Sequence, residues 1–486
     1  MPKWTTDQEK AIYAKWRNPE KTKSANILVN AAAGSGKTAV LVERIINKLC
    51  APKDSPDRCY ADNLLVVTFT NAAAKEMQQR IYDSLAKKQA QAEEENNINQ
   101  AEHLKKQLSL IHSADITTID AFCLKTVKSY FHLLNISPDF KIADTAECEM
   151  LKDEAMEELF EKYYSDKEFI DLLCLFSNGR DDNELAEVIR EIFDFTRSQP
   201  DPQKWLFEKA ELLITENEKN PYFSIVKAEI SNNAHIASSI YKSALELMIN
   251  TVIGDFHNRS QDEFEAVIKK NPPECENDLH FSFGILYKIC YNEYFLAKSL
   301  QESSWDMSKK LLSSFKFERT NAAIKPRDKE REIKDPQILE QIKSKRTAAK
   351  DILKDSILPL LSNSTAEIQN ISHEYIYPMI KSLVKFCNLF EDIYLAKKES
   401  KNLREFSDIE HLCLKLFCDY PEVRKEMQDK YVEILMDEYQ DSNALQEAIF
   451  EKISRGDNLF TVGDMKQSIY RFRSSDPDLF KNKCNS

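Results

Sequence analysis

The octet Ala31-Ala32-Ala33-Gly34-Ser35-Gly36-Lys37-Thr38 constrains this chain more than any other stretch. It stands between an apolar run, Asn26 to Asn30, and a helix-forming run, Ala39 to Ile46. A strand, a glycine-containing loop and a helix N-terminus in that order make a cradle for phosphate. Backbone N–H groups and the positive end of the helix dipole face the anion, Lys37 adds a cation near the β- and γ-phosphates, and the Thr38 hydroxyl is a ligand for Mg²⁺. A chance glycine-rich turn is a poor alternative, because the chain has only 7 Gly in 486 residues and two of them fall inside the octet. Ala31 stands where the general pattern has its first glycine.

A chain of 486 residues has room for two to four domains. Charged residues make up 30% and hydrophobic ones 42%, as in a soluble globular protein. No apolar run approaches the roughly 18 to 20 residues that span a bilayer, and the N-terminus has no signal-peptide core, so a cytoplasmic protein without a membrane partner is expected. Eleven Cys without a CxxC pair argue against zinc, an iron–sulfur cluster or a disulfide framework, and read as buried thiols. The net charge of −13 does not exclude a nucleic-acid partner. Residues 1–144 carry 20 Lys+Arg against 17 Asp+Glu, while the remainder carries 47 against 63. A groove of positive potential can sit on an acidic protein.

Along the chain, Trp4 to Ile12 reads as an amphipathic helix capped by Thr or Asp. A strand over Leu64–Thr68 runs into Phe69-Thr70-Asn71 and an Ala-rich helix. Lys87 to Gln107 is poor in apolar residues and reads as an exposed helix or insertion. A short strand, Ile116 to Thr118, leads into a helix that begins near Ile119 and carries Asp120 and Phe122. Strands alternating with helices at this spacing predict an α/β protein with a mainly parallel, doubly wound sheet. From about Asp144 to Ser400 period-3.6 patterns dominate, with breaks near Pro200, Pro202, Pro221, Pro272 and Pro273. Lys325 to Lys350, rich in both charge signs, reads as a solvated helix or linker. Such a stretch is too long for a loop within one compact domain and is read as a helical insertion.

Strand character returns at Tyr431 to Met436, ending in Asp437-Glu438-Tyr439-Gln440-Asp441, and at Asn458 to Val462, ending in Gly463-Asp464. Polar residues at the C-terminal ends of strands are where ligands sit in open α/β sheets. Asp437-Glu438 is the partner a phosphate cradle requires: the first carboxylate holds Mg²⁺ opposite Thr38, and the second can orient and deprotonate an attacking water.

Together these stretches resemble superfamily 1 helicases of the UvrD/RecB type. Gln8 matches the Q-motif glutamine, AAAGSGKT motif I, VVTFTNAAAKEM motif Ia, ITTIDAFC motif Ib, LMDEYQDSN motif II and VGDMKQSIYRFR motif III. The triple-alanine octet, VGDMKQSIYRFRSSDPDLF, the FSDIEHL stretch from Phe406 to Leu412 and the long helical insertion are most similar to AddA-type subunits of AddAB helicase–nucleases. The resemblance implies a RecA-like P-loop NTPase domain with a parallel sheet, formed by residues 1–143 (domain 1A, first part) and 405–486 (second part, motifs II and III). An all-helical insertion, domain 1B, would occupy 144–404. It also implies ATP and Mg²⁺ as cofactors, single- and double-stranded DNA ends as substrates and a partner of the AddB type. Gln8 would read the adenine, Ala31 to Thr38 would bind phosphate, Thr38 and Asp437 would hold the metal, Glu438 would be the catalytic base, and Gln467 would touch the γ-phosphate or the attacking water. Phe69, Thr70, Asn71, Phe122, Tyr470, Phe472 and Arg473 match positions that line the single-strand path, where aromatic rings stack on bases at about 1 to 3 kcal/mol each. Core packing is the competing reading for Phe122 and Phe472. Many relatives carry Trp at the position of Phe472 and His at that of Asp120.

The resemblance further implies that a second RecA-like domain, whose arginines complete the ATP site, and a nuclease domain are not supplied by residues 1–486. Such an arginine is worth about 10³ to 10⁵ in rate. The chain is accordingly expected to be a fragment or truncated product that by itself binds nucleotide weakly and hydrolyses it poorly. The alternatives are a UvrD- or PcrA-like repair helicase without a nuclease, an inactive nucleotide-binding remnant and, least favoured, a P-loop phosphotransferase.

Overall fold

Leu64 to Val67 are all buried, as strand residues are when both faces of a sheet are covered. The computed structural model describes residues 4–14, 26–32, 34–53, 55, 58–176, 182–215, 220–254, 260–273, 278–318, 335–464 and 477–485. Its strands are β1 (Ile27–Asn30), β2 (Leu64–Thr68), β3 (Asp115–Thr118), β4 (Lys141–Ile142), β5 (Leu403–Arg404), β6 (Glu433–Met436) and β7 (Leu459–Gly463). Five form one sheet in the order β1-β7-β6-β2-β3, with every neighbouring pair parallel. The two strands made last in the sheet thus lie between those made first, and Val67 stands opposite Met436 while Val29 stands opposite Val462.

Successive side chains of a strand point to opposite faces, and here the two faces feed two cores. Leu65, Val67, Ile434 and Met436 pack with helix Phe406–Asp419 and helix Ala444–Ile453 on one side. Leu64, Val66, Leu435, Phe460 and Val462 pack with helices Lys37–Leu49 and Asn71–Glu94 on the other. The observed architecture is mixed α/β, mostly helical, around a parallel sheet.

The chain forms two units, Met1–Leu206 with Ser382–Ser486, and Phe207–Lys381. Both crossings fall inside helices, Pro202–Glu211 and Tyr377–Ser400. The helices just after residue 144 and just before 404 therefore belong with the sheet, and buried charges account for it. Arg197 donates to Glu391 and Asp408 at 3.0 and 2.8 Å, and Lys398 donates to Glu405 and Asp408 at 2.6 Å each. Strands β4 and β5 form a separate parallel ribbon where the chain leaves for the helical stretch and returns from it.

In the other unit, the 33-residue helix Pro221–Ile253 packs against Ile285–Glu302 and Pro336–Asp351 through Tyr241, Leu245, Met248, Tyr287 and Ile342. The expected solvated stretch Lys325 to Lys350 is helical from Pro336 onward, and one face is buried: Arg346 donates to Glu293 at 2.8 Å, and Ile342 and Ala349 join the core. Residues 319–334 lie outside the described residues. The exposed helix expected over Lys87 to Gln107 is two helices, Asn71–Glu94 and Ile98–Leu110, with Leu104, His103 and Gln107 buried. Gln107 is a satisfied core polar group, accepting from Ala61 N at 2.9 Å and donating to Cys59 O at 3.2 Å. A scarcity of apolar residues is a weak sign of exposure where the polar side chains find partners.

Candidate nucleotide-binding site

Strand β1 carries its pairing into the octet, where Ala31 N donates to Gly463 O at 3.1 Å. The chain then turns, with Ser35 N donating to Ala32 O at 3.2 Å, and Gly34 and Gly36 take φ of +73° and +81°, the left-handed region open to glycine. Gly36 is the N-cap of helix Lys37–Leu49 and offers no capping side chain. The first N–H groups of a helix have no intrahelical acceptor, and an anion is the partner such an end favours. Ser35 Oγ is buried with no hydrogen-bond partner among the described residues, a further donor suited to a phosphate oxygen. Lys37 is buried in the first turn. Ala33 lies outside the described residues.

Gln8 reaches the same loop from helix Thr6–Tyr13. Of the two candidate caps, Thr5 is the one used, in a capping box in which Thr5 N donates to Gln8 Oε1 at 2.8 Å. The other end of that amide donates to Ser35 O at 2.9 Å. The helix is tied down by Arg44, whose Nη1 donates to the carbonyls of Ala11, Ile12 and Ala14 at 2.8 to 3.1 Å. Arg44 Nε and Nη2 donate to Glu433 Oε1 on β6 at 3.1 and 2.7 Å, and both residues are 1% exposed.

Strand β6 ends opposite the cradle. Asp437 N donates to Val67 O at 3.0 Å, and Thr38 Oγ1 donates to Asp437 Oδ2 at 3.1 Å across 399 residues of sequence. Burial and the charge of Glu438 push the Asp437 carboxyl above its usual range, while the Thr38 hydroxyl, the Glu438 N–H and Lys37 pull it back. A carboxylate held in this way gains from a cation. The hydroxyl and carboxylate oxygens suit Mg²⁺, which takes one or two carboxylates together with phosphate oxygens and water. Among the described residues no group of three or more His, Cys, Asp or Glu could hold a metal by itself.

Glu438 has φ +52° and ψ +40°. The other non-glycine residues with positive φ among those described are asparagines, which tolerate it. A left-handed glutamate costs about 1–3 kcal/mol, strain that persists where the surroundings impose it. Its carboxylate accepts from Gln440 Nε2 at 2.7 Å. Thr38, Asp437 and Glu438 line one part of a cleft of about 440 Å³, and Phe69, Thr70 and Arg80 line another.

Of the expected strand-path residues, Phe69 is half-buried and Thr70 and Asn71 are exposed at the C-terminal end of β2. Thr70 also caps helix Asn71–Glu94, accepting from Ala73 N at 3.1 Å. Phe122 resolves to core packing: its side chain is 2% exposed, with ring centroids 6.1 Å from Phe450 and 6.3 Å from Tyr431. A ring enclosed in this way has no face for a base, so its expected role as a DNA contact is corrected. Gln467, Tyr470, Phe472 and Arg473 lie outside the described residues.

A family model described as the UvrD/REP helicase N-terminal domain matches residues 14–486. The chain belongs to the UvrD/REP helicase family. Proteins named as the A-subunit of an ATP-dependent helicase/nuclease are similar over its full length. That of Clostridioides difficile (strain 630) is 34% identical over 504 residues, covering 100% of this chain and 36% of that protein. Those of Alkaliphilus oremlandii (strain OhILAs) and Clostridium perfringens (strain ATCC 13124) are each 35% identical over 99% of this chain, and 36% and 35% of their own lengths are matched. The chain spans about a third of the length of these relatives. No helix among the described residues is long and apolar enough to cross a membrane.

Around this UvrD/REP-family site, three groups have surroundings that the sequence did not indicate. Arg44 and Glu433 look like ordinary helix and strand charges until β6 is laid beside the helix that follows the octet. Gly463 could have been suspected, as a rare glycine at a strand end. A second cleft of about 360 Å³ shares Thr68, Phe69 and Asp441 with the first and contains Asp120 and Glu410. Burial and Asp120 push the Glu410 carboxyl up to about 8, against a 2.8 Å hydrogen bond from Gln446 Nε2 and the charge of Arg197. A carboxyl raised above its unfolded value near 4.5 stabilises fully below that value and loses the contribution as pH rises through 8. Urea midpoints are therefore expected to fall between pH 5 and pH 8.5, and Glu410→Gln is expected to flatten that dependence; an unchanged slope in the variant would assign it elsewhere.

Proposed function

We propose that this chain is the N-terminal motor half of an ATP-dependent DNA helicase–nuclease of the AddA type. In the full protein, ATP hydrolysis drives 3′ to 5′ movement along one DNA strand. The products serve double-strand break repair and recombination in the cytoplasm, with an AddB-type partner. Residues 1–143 and 405–486 are read as a RecA-like domain and 144–404 as its helical insertion. The observation that carries the reading is the Thr38–Asp437 contact at 3.1 Å with Glu438 beside it, joining the two halves of a nucleotide site from opposite ends of the chain.

The backbone of Ala31 to Gly36, Ser35 Oγ and Lys37 hold the phosphates, and Gln8 stands at the edge of the loop for the adenine. Thr38 and Asp437 would hold Mg²⁺, which would supply positive charge to the phosphates when bound. Glu438 orients a water and takes its proton as the water oxygen attacks the γ-phosphorus and ADP leaves, and Gln467 contacts the γ-phosphate. Phe69, Thr70 and Asn71, with Tyr470, Phe472 and Arg473, form the single-strand path. The cleft shared by Glu438 and Phe69 supports a direct link between hydrolysis and strand binding.

The test is ATP turnover by the intact enzyme with and without single-stranded DNA. DNA is expected to stimulate hydrolysis, and Lys37→Ala is expected to lower it by about 100-fold or more, the loss of a cation on the transferring phosphate. DNA-independent turnover, or normal turnover in the variant, would overturn the reading.

A further inference from the structure

Gln440 lies in the turn after β6 and is 2% exposed. Its amide is used at both ends. Nε2 donates to Glu438 Oε2 at 2.7 Å and to Asp441 Oδ2 at 3.2 Å, and Oε1 accepts from Asp464 N at 2.9 Å. An amide flipped by 180° would set its oxygen against two carboxylates and its NH₂ against an N–H, so the orientation is determined by the network. Gly463 makes the approach possible. A Cβ there would lie 2.6 Å from Gln440 Oε1 and 2.8 Å from Phe480 Cε2, so a bare α-carbon is required for space.

We propose that Gln440 is a positioning residue for hydrolysis: it aims the Glu438 carboxylate and ties its position to the end of β7 through Asp464. The proposal rests on Glu438 being the base. A free glutamate carboxylate samples several rotamers, and at a left-handed backbone position its reach toward the attacking water depends on what holds its far oxygen. Gln440 holds that oxygen. Because β7 also accepts from Ala31 N at the start of the octet, one strand end bears on both the phosphate cradle and the carboxylate that acts on its contents.

The experiment measures steady-state ATP hydrolysis by the intact enzyme carrying Gln440→Leu or Gln440→Glu, each alone and with Glu438→Gln. Both single variants are expected to lower kcat by about 10- to 100-fold, the usual cost of losing a partner that orients a reacting group, with little change in KM for ATP. Gln440→Glu keeps an acceptor for Asp464 N but sets a carboxyl against Glu438, so its loss deepens as pH rises and the new carboxyl ionises. In the Glu438→Gln background neither change lowers kcat further. If Gln440→Leu fails to fold, the near-isosteric Gln440→Glu decides. Wild-type kcat in Gln440→Glu, or a fully additive loss with Glu438→Gln, would reduce Gln440 to a structural tie. If Glu438→Gln itself turns over normally, the base assignment falls and this proposal with it; if Glu438→Gln is inactive and Gln440→Glu is normal, only the proposal falls.

Discussion

Replacing Glu438 by Gln is expected to lower ATP turnover by about 10² to 10⁴-fold, the usual contribution of a positioned general base, and to leave nucleotide binding nearly intact. The amide has the shape of the carboxylate and can turn its oxygen toward Gln440 Nε2, so the left-handed backbone and the bond to Gln440 are both retained. Lys37, Thr38 and Asp437 keep their places, so the proposed partners of phosphate and Mg²⁺ are retained. Under the proposed assignment, what is lost is the group that accepts the proton of the attacking water. Hydrolysis under saturating ATP, paired with binding of a fluorescent ATP analogue, separates the two effects. Near-normal hydrolysis would move the base to another residue.

The second large effect is expected at Arg44. Its guanidinium makes five hydrogen bonds, two to Glu433 and three to the carbonyls at the end of the helix that carries Gln8. Lys48 also lies 3.2 Å from Glu433. Removing one partner of a buried ion pair leaves the other charge in a poorly solvating interior at a cost of about 3–5 kcal/mol, more than the net worth of the pair itself. Arg44→Ala is therefore expected to lose about that much stability in urea denaturation, and to weaken ATP binding because Gln8 loses the anchor that keeps it against Ser35. Arg44→Lys is expected to recover little, since an ammonium cannot span both Glu433 and the three carbonyls. Wild-type stability in Arg44→Ala would mean that helix Thr6–Tyr13 is held by other contacts.

The parts of this protein legible in the sequence are those in which neighbours in the chain are neighbours in the site. The octet is one: strand, glycines, lysine and threonine lie in order, and their chemistry follows from that order. Strands β2, β6 and β7 are another, because a strand covered on both faces is largely apolar, with Glu433 in β6 and Thr461 in β7 among the buried polar exceptions. Gln440 and Gly463 were not legible in this way. Their importance arises only when β6 and β7 lie side by side, and nothing local to either residue reports that pairing. Phe122 carried two readings, and its neighbours Tyr431 and Phe450, more than 300 positions away, decided between them. The unit boundaries at 206 and 381 fall within continuous helices, so no change of composition marks them. Residues such as Arg197 and Lys398, which hold the outer helices to the sheet-bearing unit, look in sequence like surface charges.

The strand order has a consequence for synthesis. Strand β3 ends at residue 118, and β6 begins only at residue 433. At roughly 5 to 20 residues per second, the ribosome spends tens of seconds on the helical stretch while β1 waits on one side of a gap and β2 with β3 on the other. During that time the edge of β2 that pairs with β6 is open, and Leu65 and Val67 lack the helices Phe406–Asp419 and Ala444–Ile453 that cover them, the condition under which a nascent chain calls on chaperones or pairs with the wrong strand. The gap closes from the middle when β6 and β7 arrive, and Asp437 and Glu438 come to face the octet only then. A product of translation halted within the helical stretch carries the whole octet but has neither the β7 carbonyl that holds Ala31 nor the carboxylate opposite Thr38, and under the proposed function it is expected to bind nucleotide more weakly than a chain extended past residue 464.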